Sequence, residues 1–182
     1  MILGFTGKNA AGKTEACNYL ASVGFIQCSL SDIIRDELSK QGMDSTRENM
    51  IKKGNELREK HGPNYLAAQM AKKVQESQNK NFAIDSIRSP HEANKLKKIK
   101  GFRLIGIDAD PKIRLERMIK RNRMGDARTL EKFLDDEKKE NLKNDSGQQL
   151  DNTFAMSDKV IKNEGTLKEF HRKIDELVKN IQ

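Results

Sequence analysis

The sequence predicts an α/β fold, a parallel sheet covered on both faces by helices, in a single domain of 182 residues. Three observations predict it. Short apolar runs alternate with helix-period segments from one end of the chain to the other. A glycine-bounded signature stands between the first strand and the first helix, where a phosphate-binding loop is required to stand. No repeat, low-complexity stretch or linker divides the chain into independent units.

Composition sets the class. Hydrophobic residues make up 35% and charged residues 34%, enough apolar material for a core beneath a densely charged surface. No apolar run reaches membrane-spanning length, and the N-terminal run is short and lacks a basic leader, so a cytoplasmic location is expected. Cys17 and Cys28 have no metal-ligand spacing and read as reduced core residues. The net charge of +8 suits an anionic partner, nucleic acid or a phosphorylated metabolite, or simply a lysine-rich solvated surface.

In chain order, residues 2–5 form a buried strand, followed by the loop and a helix carrying Cys17, Leu20 and Ala21. Gly24 resets the chain before a strand at 25–28, and Ser31 or Asp32 caps a helix holding Ile33, Ile34 and Leu38. Residues 44–78 read as helical throughout. Thr46 begins one helix, His61-Gly62 ends it, and Pro63 opens the next at a first helical position, with Leu66, Met70 and Val74 inward. Strands follow at 82–84, 102–107 and 159–161. Asp110-Pro111 start a basic helix and Thr129 caps an acidic-basic one. The last helix places Leu167, Phe170, Ile174, Leu177, Val178 and Ile181 on one core-facing stripe.

Gly7-Lys8-Asn9-Ala10-Ala11-Gly12-Lys13-Thr14 matches G-x-x-x-x-G-K-[ST] in full. Gly7 and Gly12 let the backbone curl its N–H groups toward phosphate oxygens, and the following helix offers its partially positive end. Lys13 is expected at the β- and γ-phosphates of ATP, and the Thr14 hydroxyl on magnesium. The chain contains neither a D-x-x-G nor an N-K-x-D string, which speaks against a GTPase.

Asp85 ends an apolar strand and would face this loop as the second magnesium residue; Asp108 has the same form and remains an alternative. Arg88 follows on the loop leaving the sheet. Arg114, Arg117, Arg121 and Arg123 crowd onto one helix and its exit, with Arg128 nearby, either as a solvated basic face or as a clamp on a transferring phosphoryl group. Asp32 reads as a helix cap or as the general base for a hydroxyl acceptor. An acceptor already bearing phosphate needs no base, and Arg35, Arg58 and Arg88 would hold it.

Taken together, Gly7 to Thr14, Ser29 to Arg35, Thr46 to Asn49, Leu57 to Gly62, Ile84 to Arg88, the Arg114-to-Arg123 helix and Asn163 to Thr166 resemble the dephospho-CoA kinase and adenylate-kinase-related branch of P-loop kinases. They are also similar to the P-loop module fused to some deoxycytidylate deaminases. The resemblance covers nearly the whole chain. It implies the three-layer P-loop NTPase fold with a five-stranded parallel sheet in the order 2-3-1-4-5. It also implies a core at 1–34, 79–119 and 146–182, a helical acceptor-binding insertion at about 35–78 and a lid at about 120–145. By the same resemblance Asn163 and Gly165 lie near the adenine. The chain departs from its relatives at Lys8 to Ala11, usually Gly-Ser-rich, and at Gly125-Asp126-Ala127, where two adjacent acids are common. The insertion matches neither named kinase closely, so the acceptor's identity does not carry over.

The expected function is an ATP- and magnesium-dependent kinase of nucleotide metabolism. Its catalytic candidates are Lys13, Asp32, Arg88, Arg117 and Arg121, and its acceptor-binding candidates are Asp32, Arg35, Arg58, Arg88 and Arg123. A monomer or homodimer acting on a small nucleotide-like molecule is expected. The alternative is a nucleotide-binding sensor partnered with a deaminase or RNA. Aromatic residues are only 5% of the chain and mostly on core faces, which disfavours a nucleic-acid stacking platform.

Overall fold

The computed structural model describes residues 1–77, 80–122, 126–141 and 148–181. The elements are β1 (Ile2–Thr6), α1 (Lys13–Ser22), β2 (Ile26–Ser29), α2 (Leu30–Lys40), α3 (Arg47–His61), α4 (Tyr65–Glu76) and β3 (Phe82–Asp85). They continue with α5 (Pro90–Lys97), β4 (Phe102–Asp108), α6 (Pro111–Arg121), α7 (Leu130–Glu140), α8 (Leu150–Ala155), β5 (Lys159–Lys162) and α9 (Leu167–Ile181).

All strand pairings are parallel and the order is β2-β3-β1-β4-β5, as expected. The central strands are apolar on both faces, and the two-residue period sorts their side chains into two cores. Ile2, Phe82, Ile84, Phe102 and Leu104 pack with α2, α4 and α5 on one face. Leu3, Phe5, Ala83, Ile105 and Ile107 pack with α1 and α9 on the other. A separate small cluster of Met118, Ala127 and Phe133 joins α6 to α7. Cys17 and Cys28 are both buried, one in each large core.

Four local expectations are corrected. Ser29, not Ser31 or Asp32, caps α2. Its extended backbone turns its hydroxyl to the Ser31 N–H at 3.2 Å, and Asp32 returns a carboxylate to the Ser29 N–H at 3.0 Å. α4 begins at Tyr65 rather than at Pro63. The proline instead occupies a turn closed by Tyr65 N–H to Gly62 C=O at 3.0 Å, and proline's fixed φ suits that turn position. Leu167 is 57% exposed, because it lies in the first turn of α9, before the stripe from Phe170 reaches the core. Helices α5 and α8 were not expected. The first carries a legible signal, Ser89-Pro90-His91-Glu92, which forms a reciprocal capping box.

No helix among the described residues is long and apolar enough to cross a membrane.

Candidate phosphate-binding site

In this sheet the crevice lies where the carboxyl ends of β1 and β3 meet the N-terminus of α1. Thr6 ends β1 and the chain enters a loop with positive φ at three small residues. Gly7, Ala10 and Gly12 have φ of 134°, 60° and 112°. A side chain at Gly7 would overlap the Ile107 carbonyl oxygen, and one at Gly12 would overlap the Asn163 carboxamide. Gly12 is the N-cap of α1 and offers no side-chain hydrogen bond to it, so the first amides of α1 are not capped from within the helix. Such an end suits an anion.

The Lys13 ammonium lies back across the loop, donating to the Gly7 and Lys8 carbonyls at 2.7 and 2.9 Å. Burial lowers its pKa to about 8; Asp85 opposes the shift, and Arg88 and Arg114 add to it. A cation made costly in this way gains most from an arriving anion.

Thr14 donates its hydroxyl to Asp85 Oδ2 at 2.8 Å, 71 residues away in sequence. The other Asp85 oxygen accepts the Ser86 N–H. Ser86 follows with φ of 67°, an unusual left-handed conformation for a side-chain-bearing residue, and accepts a hydrogen bond from the Ser29 hydroxyl at 3.1 Å. Asp108, the alternative to Asp85, ends β4 in register with Lys162 and uses its backbone carbonyl to hold the Asn163 N–H at 2.8 Å. It is therefore Asp85 that shares a hydrogen bond with Thr14.

Arg117 and Asn163 brace the loop from the other side. Asn163 donates its carboxamide to the Ala11 carbonyl at 2.8 Å. Arg117 donates to the Asn163 carbonyl at 2.9 Å and reaches the Ala11 carbonyl at 3.4 Å. Gly165 lies against the Glu169 carboxylate, which caps α9 by accepting the Thr166 N–H at 2.7 Å. Arg88 joins the crevice as well, donating to Gln148 at 3.0 Å. Lys8 forms an exposed pair with Asp151 at 3.4 Å.

Other candidates are already committed elsewhere. Arg58, expected at the acceptor, is 5% exposed and donates Nε and Nη2 to Glu92 Oε1 at 3.1 and 2.8 Å, so its charge is spent inside the fold. Arg114 is buried against Glu137 and over the Phe133 ring, and it also donates to the Asn9 carbonyl at 3.2 Å. Arg121 forks onto Asp126 at 2.8 and 3.0 Å, a carboxylate that Arg47 also approaches at 3.7 Å. Asp32 accepts the Ser29 N–H with one oxygen and Arg35 with the other, at 2.6 Å. Arg123 lies outside the described residues.

Sequence reasoning missed Glu92, Glu137 and Gln148. Glu92 could have been found through its capping box; the other two have no local pattern, because their partners are 23 and 60 residues away. A cavity of about 380 Å³ bounded by Phe25, Asn81, Gly101, Arg103 and Val178 lies at the opposite edge of the sheet and has no part in this site.

Residues 3–151 match the AAA domain family. A UPF0200 protein of Pyrococcus abyssi is 31% identical over 186 aligned positions, spanning 100% of this chain and 97% of that protein. The chain belongs to the UPF0200 family. Among solved structures, TT1252 from Thermus thermophilus aligns over 100% of this chain and 98% of its own, with a TM-score of 0.64 at 15% identity. Shikimate kinase from Acinetobacter baumannii, in complex with shikimate, aligns over 98% of this chain and 93% of its own, with a TM-score of 0.58 at 16% identity. At these identities the likeness is one of fold. This UPF0200 protein has the P-loop NTPase fold that small-molecule kinases share, and the expected family relation holds at that level.

Proposed function

We propose that this UPF0200 protein is an ATP- and magnesium-dependent phosphotransferase whose acceptor is a nucleoside monophosphate or a related nucleotide-like molecule such as dephospho-CoA. The observation that carries the reading is the Thr14 hydroxyl on Asp85 at 2.8 Å beside the Lys13 ammonium, at the uncapped end of α1. A hydroxyl and a carboxylate form the oxygen donor set that a magnesium ion carrying phosphate and water accepts. Thr14 and Asp85 would hold that ion, which would supply charge neutralisation to the bound phosphates. Asp85 is assigned over Asp108 because Thr14 engages it.

The chain's own residues divide the remaining work. Amides from Gly7 to Thr14 bind the triphosphate, and Lys13 leaves its carbonyl partners to meet the charge that spreads over the transferring oxygens. Arg117, Asn163 and Gly165 set the wall on which the nucleotide base would rest. Arg88 would serve the transferring group and the acceptor, and Arg35 the acceptor. An acceptor hydroxyl would give its proton to Asp32 once Arg35 moves off that carboxylate; an acceptor phosphate would take Arg35 instead. Residues from about 35 to 78 serve as the acceptor-binding insertion and those from about 120 to 145 as the lid. The protein acts in the cytoplasm as a monomer or homodimer on this reading.

A second reading, a nucleotide sensor with little turnover, is favoured by one observation. Arg58, Arg114 and Arg121 are neutralised by Glu92, Glu137 and Asp126, which leaves fewer arginines for a transferring phosphoryl group. The test is a thermal-shift screen of nucleoside monophosphates and dephospho-CoA with a non-hydrolysable ATP analogue, followed by product analysis with Mg–ATP. A substrate adds stabilisation beyond the analogue alone and becomes phosphorylated; Lys13→Ala abolishes transfer without unfolding the protein. Tight nucleotide binding with no phosphorylated product from any acceptor decides for the sensor.

A further inference from the structure

Glu92 is fully buried, yet its carboxylate accepts hydrogen bonds from two directions. Oε2 takes the N–H groups of Arg88 and Ser89 at 2.9 and 3.2 Å, and Oε1 takes the Arg58 fork. The Ser89 contact belongs to the capping box at the start of α5, the Arg88 contact extends it by one residue, and the Arg58 fork reaches across to α3.

A capping box needs no arginine. Burying both ions is costly, and replacing such a pair by apolar side chains is often neutral or stabilising, so stability is a weak reason for its presence. Its location is more informative. The short loop from Asp85 to Ser89 is fixed at one end by Asp85 on Thr14 and at the other by Arg88 N–H on Glu92. Between them Ser86 is held at φ of 67°, a conformation that persists only where the surroundings over-determine it. The field of Arg88 reaches Lys13, where it helps to lower the ammonium's pKa. A small displacement of this loop therefore changes both the carboxylate at Thr14 and a guanidinium whose field reaches Lys13.

We propose that Arg58 and Glu92 are a positioning pair: through their buried contact α3 holds the 85–89 loop, so that Arg88 and Asp85 stay aimed at the phosphate site. The role of the loop in transfer rests on the phosphotransferase reading; the mechanical link between α3 and the loop does not. The pair acts through Arg88 and touches no substrate.

Glu92→Gln preserves volume while removing the charge, and Arg58→Lys keeps the charge but loses the fork. Backbone amide exchange, Mg–ATP affinity and transfer from Mg–ATP to AMP as the probe acceptor are measured on each full-length variant. In Glu92→Gln the Arg88 and Ser89 amides are expected to exchange about tenfold faster, while those of α1 and β4 keep wild-type rates. Mg–ATP affinity should weaken, by less than the about tenfold expected of Asp85→Asn, and kcat should fall by about tenfold as Arg88 loses its aim. Arg58→Lys is expected to show both effects to a smaller degree. Unchanged exchange at Arg88, or acceleration spread evenly over α1 and β4, overturns the proposal. So does wild-type kcat in a variant whose loop amides have loosened. A wild-type protein that binds Mg–ATP and phosphorylates no acceptor overturns the kinase reading instead, and exchange alone then decides whether α3 holds the loop.

Discussion

Gly12→Ala tests the loop geometry most directly. Gly12 sits at φ of 112° and ψ of 16°, and a Cβ there would overlap the Asn163 carboxamide. Two costs follow. The backbone conformation is foreign to a side-chain-bearing residue and costs about 1–3 kcal/mol. Moving Asn163 aside removes its hydrogen bond to the Ala11 carbonyl, 2.8 Å long and buried, for about 1–3 kcal/mol more. The sum, about 2–6 kcal/mol, corresponds to a drop in Tm of about 4–24 °C at about 2–4 °C per kcal/mol for a protein this size. Urea unfolding followed by far-UV circular dichroism gives the free energies, and the same substitution in an Asn163→Ala background isolates the collision. There Gly12→Ala should cost only the strain, giving a coupling of about 1–3 kcal/mol. A Tm shift under about 2 °C, or single effects that add to within about 0.5 kcal/mol, would refute the reasoning.

Asp85→Asn should weaken ATP binding in magnesium by about tenfold or more while Asp108→Asn stays within about twofold, and calorimetry with and without EDTA separates the two. Lys13, held at about 8 in the folded chain, loses its charge as pH rises through that value, so Mg–ATP affinity should fall above pH 8 and binding should take up protons, measurable by calorimetry in two buffers. For stability the sign is opposite: between about 8 and 10.5 the unfolded chain holds more of the Lys13 proton, so this residue makes the fold more stable with rising pH in that window. Glu137→Gln should cost about 3–5 kcal/mol in chemical denaturation, because Arg114 is left charged and buried, whereas Arg114→Met with Glu137→Leu should come within about 2 kcal/mol of wild type.

Much of the site was legible because its signals are local. The loop from Gly7 to Thr14 declares itself within eight consecutive residues, at Gly7, Gly12, Lys13 and Thr14. Thr46, Asp110 and Thr129 were readable as helix caps because a cap is a relation among near neighbours. Asp85 was narrowed to one of two strand ends, and only the Thr14 contact separates it from Asp108. The arginines were the least legible. Arg58 and Arg117 look alike in sequence, yet one is spent on Glu92 and the other grips Asn163.

The sequence by itself determined the alternation of strand and helix, the phosphate loop and the chemistry its glycines, lysine and threonine permit. Those properties depend on period and spacing within about one turn or one strand. Only the tertiary structure decided which carboxylate meets which cation: Asp85 with Thr14 beside Lys13, Glu92 with Arg58, Glu137 with Arg114 and Asp126 with Arg121. A charge becomes free or committed through partners brought close by packing, and in these pairs except Arg121–Asp126 the chain between the partners runs for 23 residues or more.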